Sequence, residues 1–156
     1  CPYGSDLASG VNLPSYKPME GLPPIQFNYN SGEETGTPYR TLVLVMGASQ
    51  MGMTTRGLTI ETEIKRIQSN IDWAKENGVT IIGMHIEGKS LRGRPGSDAE
   101  RIIDTVLPAC DMLMVIRDAD YDGKFSKWGR DNNVPVEVVN YNLDLIPVFK
   151  QIFDVR

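Results

Sequence analysis

The sequence predicts an α/β fold: a three-layer, doubly wound, mostly parallel sheet of the flavodoxin-like or Rossmann-like kind, built from four βα units behind an extended N-terminal arm. Three observations predict it. Apolar runs with little alternation, as in strands buried on both faces, recur at residues 42–46, 79–86, 112–116 and 134–139. Segments with the apolar spacing of amphipathic helices stand between and after them. The first run stops at Gly47 and passes through small and polar residues into a helix start, the strand–loop–helix turn that opens such domains.

The chain has 156 residues, enough for one domain with a full core and too few for two. Charged residues make up 23% with a net charge of −4 and both signs interspersed, which excludes a duplex-binding face and a polybasic membrane anchor. Nucleic acid is therefore not an expected partner. No apolar run approaches a bilayer span, and no secretory apolar region is present. A chain that begins with Cys1 and no initiator Met predicts an exported protein of the cell envelope or extracellular space, its leader removed before a Cys that is lipid-modifiable or a disulfide partner. The plain alternative is that Cys1 is simply where this chain starts. Cys110, in the apolar context VLPACDMLMV, reads as a buried small hydrophobe, with a Cys1–Cys110 bridge as the other reading.

Residues 1–38 hold most of the ten prolines and no sustained apolar periodicity, so they form an arm, and residues 39–156 the α/β domain. Within the arm, Ile25, Phe27 and Tyr29 alternate with Gln26, Asn28 and Asn30, the period of a half-buried strand at 25–30. It can add to its own sheet or to a neighbour's, making a homo-oligomer or polymer through residues 1–38 a candidate assembly.

After the opening strand, Thr59 reads as an N-cap with Glu61 and Glu63 in the first turn. Ile60, Ile64, Ile67, Ile71 and Ala74 form one helical stripe, and Gly78 ends the helix in the left-handed conformation. Ser97 and Glu100 read as a capping box, Ser97 accepting from the amide three residues on and Glu100 reaching back. Ile102, Ile103, Val106 and Leu107 then face the core, and Pro108 closes the helix. A short helix carries Phe125 and Trp128. Pro135 argues for an edge position or the first residues of the fourth strand, and a last helix, near 143–153, lays Leu145, Ile146, Phe149, Ile152 and Phe153 on the sheet.

The run TEIKRIQSNIDWAKENGVTIIGMHIEGKSLRGRPGSD, followed by a third strand and a D-G-K-F turn, resembles domain-of-unknown-function family 6305, a group of small exported bacterial α/β proteins. The likeness covers roughly residues 41–153, and its most specific piece is IIGMHIEGK with RGRPGSD behind it. The resemblance implies the fold and the export. It brings no activity. Members usually carry a further strand and helix before the stretch matching Thr41, where this chain has its Pro-rich arm.

Three loops could carry chemistry, and in a parallel sheet the segments 47–58, 87–97 and 117–125 leave by the same edge. The first, GASQMGMTT, has the spacing of a phosphate-binding P-loop, but Met53 stands where the Lys belongs, so a nucleotidase is not expected. Gly47, Ser49 and Gly52 remain candidates to hold a carboxylate or phosphate on backbone N–H groups, or else the glycines only make a tight turn. The second loop offers Lys89, Arg92 and Arg94 beside a helix start, which reads either as an anion site, with Arg56 and Arg117 joining it, or as a solvated loop. The third, Asp118-Ala-Asp120-Tyr-Asp122-Gly123-Lys124-Phe125, matches the opening of a calcium-binding EF-hand loop. Its candidate calcium-ligand set is Asp118, Asp120, Asp122 and Lys124. Gly129 stands where the bidentate Glu should be, so such a site would be weak or completed by Asp131 or a neighbour's carboxylate; the plain reading is an Asp-rich turn capping the next helix. His85, the single histidine, reads as a core residue, which leaves little material for a zinc site or a triad.

Two functional classes follow. The first is a non-catalytic exported binding domain that holds a small anionic ligand or calcium at the carboxyl edge of the sheet. The second is a self-assembling subunit of a cell-surface or extracellular polymer, with the arm adding a strand to a neighbour. No nucleophile–base pair stands out, and Asp118 and Ser49 are the only candidates for an enzyme.

Overall fold

The computed structural model describes residues 40–48, 50–55 and 57–153. The expected arm and its strand at 25–30 lie outside the described residues, as do Cys1, Ser49 and Arg56. The chain runs β1 (Thr41–Val45), α1 (Gln50–Thr55), α2 (Ile60–Glu76), β2 (Thr80–His85), α3 (Asp98–Val106), β3 (Met112–Ile116), α4 (Lys124–Asn132), β4 (Val136–Val139) and α5 (Leu145–Ile152). Short 3-10 turns stand at Lys89–Leu91, Leu107–Ala109, Arg117–Asp120 and Asn142–Asp144.

All four strands are parallel, in the order β1-β2-β3-β4. The order does not reverse among the described strands. Right-handed crossovers that all step in one direction put their helices on one face, and that is where α2, α3 and α4 lie. Their Ile67, Ile71, Ile103, Val106 and Phe125 share a core with Leu42, Leu44, Ile81, Leu113 and Val115. Alternate strand residues point the other way, so Ile82, Met84, Met114 and Val139 pack beneath Leu145, with Val148 and Phe149 of α5 against them. Helices thus cover both faces and the three layers are present. The second face, however, has only α5 among the described residues.

Local chemistry explains where the elements begin and end. Thr59 and Thr62 cap α2 reciprocally: the Thr59 hydroxyl accepts from the Thr62 amide at 3.3 Å, and the Thr62 hydroxyl accepts from the Thr59 amide at 2.9 Å. Asn77 closes α2, and Gly78, at φ 64°, turns the chain into β2. At α3 only half of the expected box forms. Ser97 accepts from the Glu100 amide at 3.5 Å, but the Glu100 carboxylate is drawn to Arg92 and Lys124. Within the stretch read as a loop, Gln50–Thr55 makes the short α1, so Gly52 is helical.

Gly83 of β2 marks a close approach between layers. A Cβ built there would stand 2.5 Å from Cys110 Sγ and 2.9 Å from Leu113 Cδ2. Cys110 fills this hollow as a buried, unbridged thiol that donates to the Val106 carbonyl at 3.3 Å. Burial pushes the thiol up to about 12, so it stays protonated and behaves as the small hydrophobe its context predicts.

Candidate functional site

Because every strand points the same way, the loops after β1, β2 and β3 leave one edge, and hydrogen bonds tie two of them together. At the centre is Arg92, whose side chain is only 2% exposed. Its Nε donates to Glu100 Oε1 at 2.6 Å and its Nη2 to Glu100 Oε2 at 3.3 Å. Nη1 donates to the Ala119 carbonyl at 2.6 Å and to Asp122 Oδ1 at 3.2 Å, and Nη2 also reaches Asp122 Oδ2 at 2.9 Å. A guanidinium has five N–H donors, and all five are used. Phe125 and Tyr121 flank the cation with ring centroids at 5.0 and 5.5 Å. Burial alone would ease the proton off Arg92, but its bonds to Glu100 and Asp122 outweigh that and raise its affinity for the proton. Burial likewise works against the Glu100 and Asp122 carboxylates, and the same bonds hold both below their ordinary range. Lys124 adds to the cluster, its amine lying 2.7 Å from Glu100 Oε2 and 2.6 Å from Asp104 Oδ1.

Arg92 was expected among the anion-binding cations, and the structure instead spends it on joining the second and third loops. Glu100 is the residue the sequence did not single out for this. Its visible signal, a Glu three residues after Ser97, pointed to a cap.

The third loop distributes its carboxylates over protein donors. Asp118 Oδ2 accepts from the Lys89 amide at 2.8 Å. Asp120 accepts from the Phe125 amide at 2.8 Å, from the Ser126 amide at 3.3 Å and from the Ser126 hydroxyl, which caps the start of α4. Asp122 holds Arg92 and also accepts from the Lys124 amide at 3.1 Å. Among the described residues no three His, Cys, Asp or Glu side chains gather as a metal site.

The model of DUF6305, a domain of unknown function, matches residues 24–153. The chain belongs to the DUF6305 family. Comparison with curated proteins and with solved structures finds no match.

The remaining candidates of the DUF6305 domain lie on the same edge. Lys89 is exposed, its amine 4.5 Å from the centroid of the Tyr121 ring, and Arg94 is exposed two residues beyond Arg92. Arg117, also exposed, donates to Asn140 Oδ1 at 2.9 Å and so links the ends of β3 and β4. Gly47 lies beside a carboxylate, since a Cβ built on it would stand 3.1 Å from Glu87 Oε2. His85, at the end of β2, is wholly buried, with neither ring nitrogen hydrogen-bonded. Its ring centre is 5.7 Å from that of Phe125, the ring that also lies 5.0 Å from the Arg92 guanidinium. Burial, and then the charge of Arg92, lower its pKa to about 4, so it is neutral at pH 7. What the described residues offer at this edge is electrostatic: two loops tied together by Arg92 and three exposed cations, Lys89, Arg94 and Arg117.

Proposed function

We propose that the DUF6305 domain is a non-catalytic, exported binding domain that takes a small anionic ligand at the carboxyl edge of its sheet. The observation that supports this is the exposure of Lys89 and Arg94 on a loop that Arg92 fixes from within. A loop already held in place loses little freedom when it binds, so modest charge contacts count for more. Calcium is the other ligand the sequence suggests, and it would have to draw Asp118, Asp120 and Asp122 away from their present donors. Calorimetric titration of the full chain with inorganic phosphate and with a small dicarboxylate tests the proposal. Binding that Lys89→Ala and Arg94→Ala each weaken by about tenfold, roughly 1.4 kcal/mol, supports it. Binding unchanged in both variants, or none at all, overturns it. A thermal midpoint raised by millimolar calcium and lowered by chelator would assign the acidic loop instead.

The second reading, a self-assembling subunit, has its own observation. Tyr141 (74% exposed), Leu143, Ile146, Ile152 and Phe153 leave large apolar side chains open along α5 and at its two ends. Patches of this kind mark protein contacts. Light scattering of the full chain over a dilution series tests it, with association that Ile146→Asp abolishes as the supporting result and a concentration-independent monomer as the opposing one.

A further inference from the structure

The two ends of the sheet differ in a way that points to what covers one of them. β4 ends the order with four residues, begins after an exposed Pro135 and carries an exposed Glu137, features that blunt an edge against further pairing. β1 ends the order on the other side with Thr41-Leu-Val-Leu-Val45, which has neither charge nor proline.

Its hydrogen-bonding groups can be counted. The Arg40 carbonyl accepts from the Thr80 amide at 3.0 Å and the Met46 amide donates to the Met84 carbonyl at 2.7 Å, so the even-numbered residues of β1 bond to β2. In a parallel pair each residue directs both backbone groups to one side. Thr41, Val43 and Val45 therefore turn theirs away from β2, to the side on which no described strand pairs with β1, while the side chains of Val43 and Val45 sit half-buried on the face that α5 covers.

We propose that this edge is a strand-acceptor site and that its occupant is residues 25–30 of the same chain, laid antiparallel to β1. Those residues lie outside the described part. The family match begins at residue 24, so it takes in residues 24–39 along with the sheet. Ile25, Phe27 and Tyr29 supply one apolar side of a strand and Gln26, Asn28 and Asn30 the other. Residues 31–39, with Gly32, Gly36 and Pro38, are enough chain to reverse direction and enter β1 at Thr41. The apolar side then continues the face of Val43 and Val45. Tethering gives the segment an effective concentration on the order of millimolar at its own edge, which a second copy does not reach in dilute solution. Antiparallel edge strands on otherwise parallel sheets are common.

Backbone hydrogen exchange on the full chain tests this. Protected Val43 and Val45 amides are expected, at a level that does not change on dilution. Phe27→Pro and Asn28→Pro cover both alternation classes of the segment, so one of them removes a bonded N–H in either register. That variant speeds exchange at Val43 and Val45 by about tenfold or more, equivalent to about 1.4 kcal/mol, while the Leu44 amide, which faces β2, stays slow and shows the domain still folded. Fast exchange at Val43 and Val45 in the unsubstituted chain overturns the proposal, as does protection that both variants retain. Protection lost on dilution overturns it too, and assigns the edge to a second copy.

Discussion

Arg92 and Glu100 form a two-point contact closed off from solvent: Nε to Oε1 at 2.6 Å, Nη2 to Oε2 at 3.3 Å, with side chains 2% and 6% exposed. An ion pair this deep is weak grounds for net stability, because both charges have left water, but removing one partner strands the other. Arg92→Met should therefore lower the unfolding free energy by about 3–5 kcal/mol in urea titration. Arg92→Lys should recover little of it, since an ammonium cannot bridge Glu100, Asp122 and the Ala119 carbonyl at once. A loss below about 1 kcal/mol for Arg92→Met would show that the cluster is not what joins the loops.

His85 gives the domain an acid limb of its own. Its pKa is near 6.5 in the unfolded chain and about 4 when folded, where burial and then Arg92 oppose the charge that Glu87 and Glu100 favour. Between those values the unfolded chain holds the extra proton, so stability is complete above about pH 6.5 and declines as the pH falls towards about 4, by on the order of 3 kcal/mol. Glu100 and Asp122, whose pKa values are lowered by folding, add their own loss at more acidic pH, as each is protonated through its folded-state value. Urea midpoints measured from pH 7 to 4.5 should fall in the native protein and stay nearly level in His85→Leu. Parallel curves would show that the ring finds a partner for its proton.

The strands and the buried stripe of α2 were legible because they follow from period and composition alone. Runs such as 42–46 and 112–116 suit a sheet buried on both faces, and Ile60, Ile67, Ile71 and Ala74 do lie in the core. Pro135, read as marking an edge or a strand start, stands just before β4, the last strand in the order of the described sheet. Ile146, expected on the sheet, is 53% exposed, because the helix meets a sheet face along a stripe centred on Leu145, Val148 and Phe149. The site was harder to read, since pairing across loops has no period. Nothing local distinguishes Arg92 from Arg94, yet one is sealed in the fold and the other stands in water. The Asp-rich turn has the spacing of a metal loop, but spacing does not show that Lys89, Arg92 and Ser126 supply the donors its carboxylates accept.

Gly83 and Cys110 should behave as one unit. Gly83→Ala places a methyl 2.5 Å from Cys110 Sγ and 2.9 Å from Leu113 Cδ2, and overpacking of this kind costs about 1–3 kcal/mol. Cys110→Ala opens the hollow from the other side and is also destabilising alone. The double variant should be more stable than the sum of the single losses predicts, by at least about 0.5 kcal/mol, as expected for residues in contact. Additive losses in denaturant titrations would mean that Leu113, rather than the thiol, sets the limit.

Asp120 decides between a cap and a metal ligand. Its carboxylate accepts from the amides of Phe125 and Ser126 in the first turn of α4, and Phe125 is fully buried in contact range of both His85 and Arg92. Loss of a capping acceptor costs about 0.5–2 kcal/mol, and it should loosen the helix end that seats this ring. Asp120→Ala should therefore lower the thermal midpoint of the full chain equally in chelator and in millimolar calcium. If the carboxylate serves a cation instead, native protein and variant should melt alike in chelator, and only the native protein should gain from calcium. The two roles leave different signatures because a cap acts through donors carried by the protein itself, whereas a ligand contributes nothing to folding until its ion arrives.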